Sequence, residues 1–201
     1  MGIFFGITKK MIRKCYLFPL FLLPLQQIFY KTKTMKPIME EKSLYTAQDC
    51  DFMREAIRLA TESVERGGGP FGAVIVKDGE VIARGANRVT LDHDPTAHAE
   101  VSAIREACRK LDTFDLSGCT IYTSCEPCPM CLGAIYWAHI DCIFYGNNRK
   151  DAADIGFADD FIYEELDRPL ANRTVPIVPL LRDEALSSFR FWENKEDKTE
   201  Y

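Results

Sequence analysis

Two short stretches of the chain carry residues able to hold a metal and move a proton. Thr123-Ser124-Cys125-Glu126-Pro127-Cys128-Pro129-Met130-Cys131 supplies thiolates, and Thr96-Ala97-His98-Ala99-Glu100 supplies an imidazole and a carboxylate. Cys128 and Cys131 are three apart, so a helix opening near Pro127 sets both sulfurs on the same side of its first turn. Proline suits that place because the amide it lacks would have no partner there. The free amides and dipole of a helix N-terminus favour thiolate, the form that binds metal. With a neutral imidazole from His98 the set becomes Cys2His, a tetrahedral zinc shell with one position left for solvent. Glu100 is two residues from His98, a spacing that would split them over two faces of a regular helix. At a helix entrance the first residues still converge, and Pro95 marks such an entrance.

A Cys-x-x-Cys pair also serves as a redox dithiol or as half of a closed structural zinc site. With Cys125 the run becomes Cys-x-x-Cys-x-x-Cys, which iron-sulfur proteins use. The cluster reading fails on a detail: no Cys-x-x-x-Cys-Pro follows, and the next cysteine, Cys142, falls on an expected strand. Cys125 is therefore read as a packed thiol, although a closed site would need it as its fourth ligand. Glu100 separates the two readings, because a closed site has no use for an acid beside its ligand.

The elements that must position these residues alternate. Phe52, Ala56, Leu59, Ala60 and Val64 recur at helical spacing between Ala47 and Arg66, and Gly67-Gly68-Gly69-Pro70 stops that helix. Strands over 72–76 and 81–85 flank Lys77-Asp78-Gly79-Glu80, where Asp-Gly signals a hairpin. A loop with Asn87 and His93 leads to Pro95 and a helix of roughly 15 residues. Cys119–Thr123 is a third strand, the cysteine helix runs towards His139, and Cys142–Tyr145 is a fourth strand. Beyond residue 150, 151–157 and 159–163 read as two short helices joined by a turn, and Arg182–Trp192 as another helix. Pro176-Ile177-Val178-Pro179 is an edge strand at most, since prolines bracket it. Strands alternating with helices after an opening hairpin imply an α/β fold in three layers (α/β/α), with a mixed central sheet and helices on both faces.

A chain of 201 residues suffices for one domain with a substantial core. Residues 1–38 differ from the rest, with seven basic residues, no acid, and an apolar run from Cys15 to Leu25 that Pro19 and Pro24 interrupt. The run is too short to span a bilayer, and no small-x-small cleavage site follows it. These residues are read as an extension outside the fold, with a cleaved or membrane-associating leader as the second reading. Without its seven cations the body sets 18 basic residues against 30 acidic ones, a net of −12. So acidic a body repels a phosphate backbone, which argues against nucleic acid as a partner. The eight cysteines are not evenly spaced as in a secreted disulfide scaffold, so a reducing compartment is expected.

His-x-Glu followed by Pro-Cys-x-x-Cys is the pattern of the zinc deaminases. Over residues 45–201 the sequence resembles the cytidine deaminase superfamily and, within it, the compact bacterial-type guanine deaminases. The resemblance rests on Gly69-Pro70-Phe71-Gly72-Ala73-Val74-Ile75-Val76, on Asp94 to Val101, on Ser124 to Tyr136, on Phe161-Ile162-Tyr163 and on the final tyrosine. It implies a zinc-dependent deaminase domain over 45–201 with a C-terminal lid segment. It also implies zinc on His98, Cys128 and Cys131, with Glu100 taking a proton from the metal-bound water and passing it to a purine ring and the departing amine. Asp159 would be a second carboxylate at the amino group, Asn87 would hold the base, and Phe71 would pack on it. Trp137 and Tyr201 would close the pocket in a cytoplasmic homodimer whose tails are swapped. Each role has a plainer counterpart: an acidic turn at Asp159, a turn residue at Asn87, core packing at Phe71 and Trp137, a loose end at Tyr201. His93 and His139 are read as loop and capping or packing residues. The implied substrate is guanine, a small purine base; guanosine, cytidine and the adenosine of tRNA are the rival substrates. A zinc-stabilised structural module is the rival without turnover.

Overall fold

The computed structural model describes residues 44–200. The expectations for residues 1–38 and for Tyr201 lie outside the described residues. Helix α1 (Ala47–Glu65) opens on a capping box: Asp49 N–H donates to the Thr46 hydroxyl at 3.2 Å, and the Asp49 carboxylate accepts the Thr46 N–H at 2.6 Å. The glycine run ends it, Gly67 taking a φ of 87°. Strands β1 (Gly72–Lys77) and β2 (Glu80–Ala86) form the hairpin that Asp78-Gly79 announces, both turn residues having positive φ. After a single turn, α2 (Val89–Asp92), come α3 (Ala99–Leu111), β3 (Cys119–Cys125), α4 (Pro129–Trp137) and β4 (Cys142–Asn147). The chain continues through α5 (Arg149–Asp154), α6 (Asp160–Asp167), a 3-10 turn at Leu170–Asn172, and α7 (Arg182–Glu193).

The sheet order is β2-β1-β3-β4. β1 lies antiparallel to β2 and β3, while β3 and β4 are parallel, so the sheet is mixed as expected. Successive side chains alternate faces. Ala73, Ile75 and Ile121 join Ala99, Ala103 and Ala107 of α3 and Ile135 of α4 in one core. Val74, Val76 and Tyr122 join Ala56, Phe52 and Leu59 of α1 in the other. Both faces are thus covered, giving the three-layer α/β/α arrangement. Burying each of the large aliphatics, such as Ile75 and Ile121, contributes about 1.5–3 kcal/mol.

Three local details differ from the sequence reading. Helix α3 starts at Ala99 and not at Pro95, because Asp94 forms a turn of its own: its carboxylate accepts the Thr96 N–H at 2.8 Å and the Thr96 hydroxyl at 2.7 Å. His98 is therefore the N-cap. Helix α2 was not foreseen, and residues 176–179 form no strand among the described residues. Among those residues no helix is long and apolar enough to cross a membrane.

Candidate active site and metal centre

Strand β3 ends at Cys125, and four residues later α4 begins with Cys128 as its N-cap and Cys131 in its first turn. His98 is the N-cap of α3. Two helix N-termini therefore meet here, each presenting unpaired amides and the positive end of its dipole. His98 Nδ1 lies 3.6 Å from Cys128 Sγ and 3.4 Å from Cys131 Sγ. A tetrahedral zinc with bonds of about 2.3 Å to sulfur and about 2.0 Å to nitrogen requires N···S separations of about 3.5 Å, so the donor set fits the metal. All three ligand atoms fall within 4.8 Å of one another. Cys125 stays outside this group, its Sγ 3.8 Å from the Asn148 carbonyl and its thiol pushed up to about 11 by burial.

The two metal-facing sulfurs are electrostatically unequal. The Cys131 thiol hydrogen-bonds Cys128 and, with His98, brings it down to about 4, while the Cys128 anion and burial push Cys131 upward. A bound dication removes that inequality, because both sulfurs can then be thiolates. The Cys128 contact raises the pKa of His98.

Glu100, in the first turn of α3, is 5% exposed. Thr123 Oγ1 donates to its Oε1 at 3.1 Å, and Cys131 Sγ lies 3.4 Å from its Oε2. Burial raises its pKa. The helix entrance thus does bring His98 and Glu100 to one place despite their spacing.

His98, Glu100 and Cys128 line a cavity of about 540 Å³, a size usual for small-molecule sites. Asn87, 6% exposed, lines it, and its Oδ1 accepts the Gly69 N–H at 3.2 Å and the Val89 N–H at 3.3 Å. Two donors at one end of an amide fix which end is oxygen, so Nδ2 is the end left to donate to a ligand. Asp159, the N-cap of α6, lines the same cavity, and its Oδ1 is buried without a hydrogen-bond partner. Burial and the Cys128 charge raise its pKa. Phe71 lines the wall and meets Phe157 edge-on, ring centroids 5.0 Å apart.

Trp137, the last residue of α4, is 65% exposed and does not line this cavity. Phe157, Glu126 and Arg149 do line it, and the sequence reading gave none of them a role. Asn148-x-x-Asp151 was a readable signal for Arg149, because that capping box starts α5. His93 and His139 both take positive φ at helix ends, and His139 Nδ1 lies 3.6 Å from Asp115.

A family model described as the cytidine and deoxycytidylate deaminase zinc-binding region matches residues 46–147. Guanine deaminase of Bacillus subtilis (strain 168) is 56% identical over 151 residues, which cover 75% of this chain and 97% of that protein. The X-ray structure of guanine deaminase from Bacillus subtilis matches with a TM-score of 0.73 at 55% identity, again covering 75% of this chain and 97% of that one. A tRNA-specific adenosine deaminase of Aquifex aeolicus (strain VF5) is 41% identical over 125 residues, or 62% of this chain and 80% of that protein.

Proposed function

Because the chain belongs to the cytidine and deoxycytidylate deaminase zinc-binding family, we propose that it converts guanine and water to xanthine and ammonia. The observation that carries this reading is a second carboxylate, half-buried Asp159 with its buried, unpartnered Oδ1, in the cavity that Glu100, His98 and Cys128 also line. The likeness to guanine deaminase runs over 151 residues, more than the 46–147 zinc region contains. Asp159 lies beyond that region.

His98, Cys128 and Cys131 would hold zinc. When bound, zinc supplies a water whose pKa falls from 15.7 to about 7 in favourable sites, so that it attacks near neutral pH. Glu100 takes one proton from the attacking water and gives it to the ring nitrogen beside C2, then carries the second, from the hydroxyl now on C2, to the departing amine, so that the C2 carbonyl forms as the C2–N bond breaks and ammonia leaves. Thr123 holds Oε1 of Glu100, which leaves the carboxylate a single aim. Asp159 accepts from the 2-amino group and steadies it as it becomes ammonia. Asn87 Nδ2 donates to an acceptor on the purine edge, and Phe71, braced by Phe157, packs against the ring.

The deaminase unit is residues 45–201, its C-terminal segment acting as a lid supplied by a second subunit. Supporting this, α7 buries none of its residues, and Phe189, Phe191 and Trp192 on it are exposed, as is Trp137 at the end of α4. Tyr201 would reach the pocket from the partner's tail. The described cysteines are all free thiols, which suits a cytoplasmic enzyme of guanine breakdown.

Zinc-loaded protein should release ammonia from guanine and form xanthine, with guanosine, cytidine and tRNA turned over at least a hundred times more slowly, about 3 kcal/mol in the transition state. Preferred turnover of guanosine would move the assignment to a nucleoside deaminase. No ammonia from any of these substrates would leave a structural zinc module.

A further inference from the structure

The segment that carries Asp159 is tied to the metal loop by side chains outside the catalytic set. Tyr163, one turn after Asp159 on α6, donates its hydroxyl to the Pro127 carbonyl at 3.4 Å, and Pro127 immediately precedes Cys128. The Arg149 guanidinium lies over the Tyr163 ring, 5.0 Å from its centroid. Arg149 N–H in turn donates to Glu126 Oε2 at 3.1 Å, and Glu126 N–H donates to the Asn147 carbonyl at 2.8 Å. Tyr163, Arg149 and Glu126 thus fasten α5 and α6 to residues 126–127, which lead into the first thiolate. Asp159 itself makes no capping bond with its side chain, and its Oδ1 has no partner. Its aim into the cavity is therefore set by where α6 sits and not by bonds of its own.

We propose that Tyr163 is a positioning residue for this reaction: held between the Pro127 carbonyl and the Arg149 guanidinium, it fixes α6 against the metal loop so that Asp159 meets the substrate's amino group. The proposal rests on the role given to Asp159 above. A hydroxyl-to-carbonyl bond beside a metal ligand transmits position directly, because any drift of α6 moves the carboxylate relative to Cys128. Misplacement by about 1 Å can cost as much as a hundredfold in rate. A group that acts through Asp159 can have no further effect once Asp159 has lost its carboxylate, which makes a double-mutant cycle the decisive measurement.

The experiment compares zinc-loaded wild type, Tyr163→Phe, Asp159→Asn and the double variant on guanine. Arg149→Met serves as a second way to loosen the same clasp. Zinc content and Tm report on folding and metal binding. Tyr163→Phe is expected to bind zinc one to one and to lose about ten- to a hundredfold in kcat with KM changed less than about threefold. In the Asp159→Asn background the same substitution should change kcat by less than about twofold. Arg149→Met should follow Tyr163→Phe in both backgrounds. An equal fold-loss with and without Asp159, or a Tyr163→Phe enzyme with wild-type kcat, would overturn the proposal and leave guanine deamination standing. An inactive wild type, or an Asp159→Asn variant with full activity, would overturn both.

Discussion

Gly85 makes the sharpest test of how this fold builds its site. It lies on β2 against α3, where an added Cβ would stand 2.0 Å from the Ala99 carbonyl oxygen and 2.6 Å from the Ala103 nitrogen. The oxygen must recede by about 1.4 Å to reach the 3.4 Å of ordinary contact, and both atoms are helix backbone that cannot rotate away. Because Ala99 sits between His98 and Glu100, the displacement falls on the ligand and the acid together, while Cys128 and Cys131 on α4 stay in place. Gly85→Ala should therefore cost about 1–3 kcal/mol of stability as overpacking. It should also lower kcat/KM by about a hundredfold and weaken zinc binding, because a near-attack geometry tolerates little misplacement. Gly79→Ala is the matched control: its φ of 80° costs a left-handed alanine about 1–2 kcal/mol, but it lies at the far hairpin turn. The assay is chelator competition for zinc alongside steady-state turnover, with Tm placing both variants on one stability scale. If Gly85→Ala lost no more activity or metal affinity than Gly79→Ala, the claim that β2 sets the height of the α3 entrance would be wrong.

Glu100→Gln should keep zinc and lose about 10²–10⁴-fold in kcat, since the ligands survive and the proton carrier does not; metal loss in step with activity would make Glu100 a structural group. Asn87→Asp preserves the acceptor for Gly69 and Val89 but replaces a donor with an acceptor, so KM for guanine should rise about tenfold or more at nearly unchanged Tm. Deleting residues 192–201 should abolish turnover while hydrogen exchange still protects β1 and β3, and a fully active truncation would remove the lid role of the tail. Asp49 has a pKa lowered first by the Tyr122 hydroxyl and then by Thr46, so its stabilisation is present above the unfolded carboxylate value near 3.9 and fades as pH falls through the lower folded value. Asp49→Asn should accordingly lower Tm by about 2–4 °C at pH 7 and by less at pH 2.5; a pH-independent gap would contradict that assignment.

The pair of metal-facing sulfurs was legible because its geometry is local. An N-cap and the third residue of a helix face each other whatever the rest of the chain does, so Cys128-x-x-Cys131 after a proline announces the pair of sulfurs. The hairpin at Asp78-Gly79 and the alternation of Val74, Ile75 and Val76 were legible for the same reason. What depended on distant approach was not. Gly85 looks in sequence like the end of a strand, and only the packed α3 reveals why no side chain fits there. Phe71 and Phe157 share no local pattern, nor do Tyr163 and Pro127, yet the first pair meets in the cavity wall and the second joins α6 to the loop before Cys128. Helix α4 is apolar all round, which says it must be covered without saying by what, so the place of Trp137 could not be read from its own segment.

The electrostatics of the cavity restrict the substrate more closely than the net charge of the chain does. Two helix N-termini would oppose a cation placed between them, and two thiolates reverse that by cancelling a dication's charge while being stabilised by the same amides. Zinc and two thiolates sum to zero, so the remaining carboxylates decide what else enters. Glu100, Asp159 and Glu126 all line the cavity, against one cation, Arg149, which is already engaged by the Tyr163 ring. An acceptor-rich, net negative pocket suits a neutral base that presents amino and ring N–H donors. A guanine nucleotide would bring its phosphate into the field of those carboxylates, where like charges at about 4 Å repel by several kcal/mol at an effective dielectric near 20. Turnover of guanine should therefore exceed that of a guanine nucleotide, and the difference should persist in high salt, where repulsion from the exposed acidic surface would be screened.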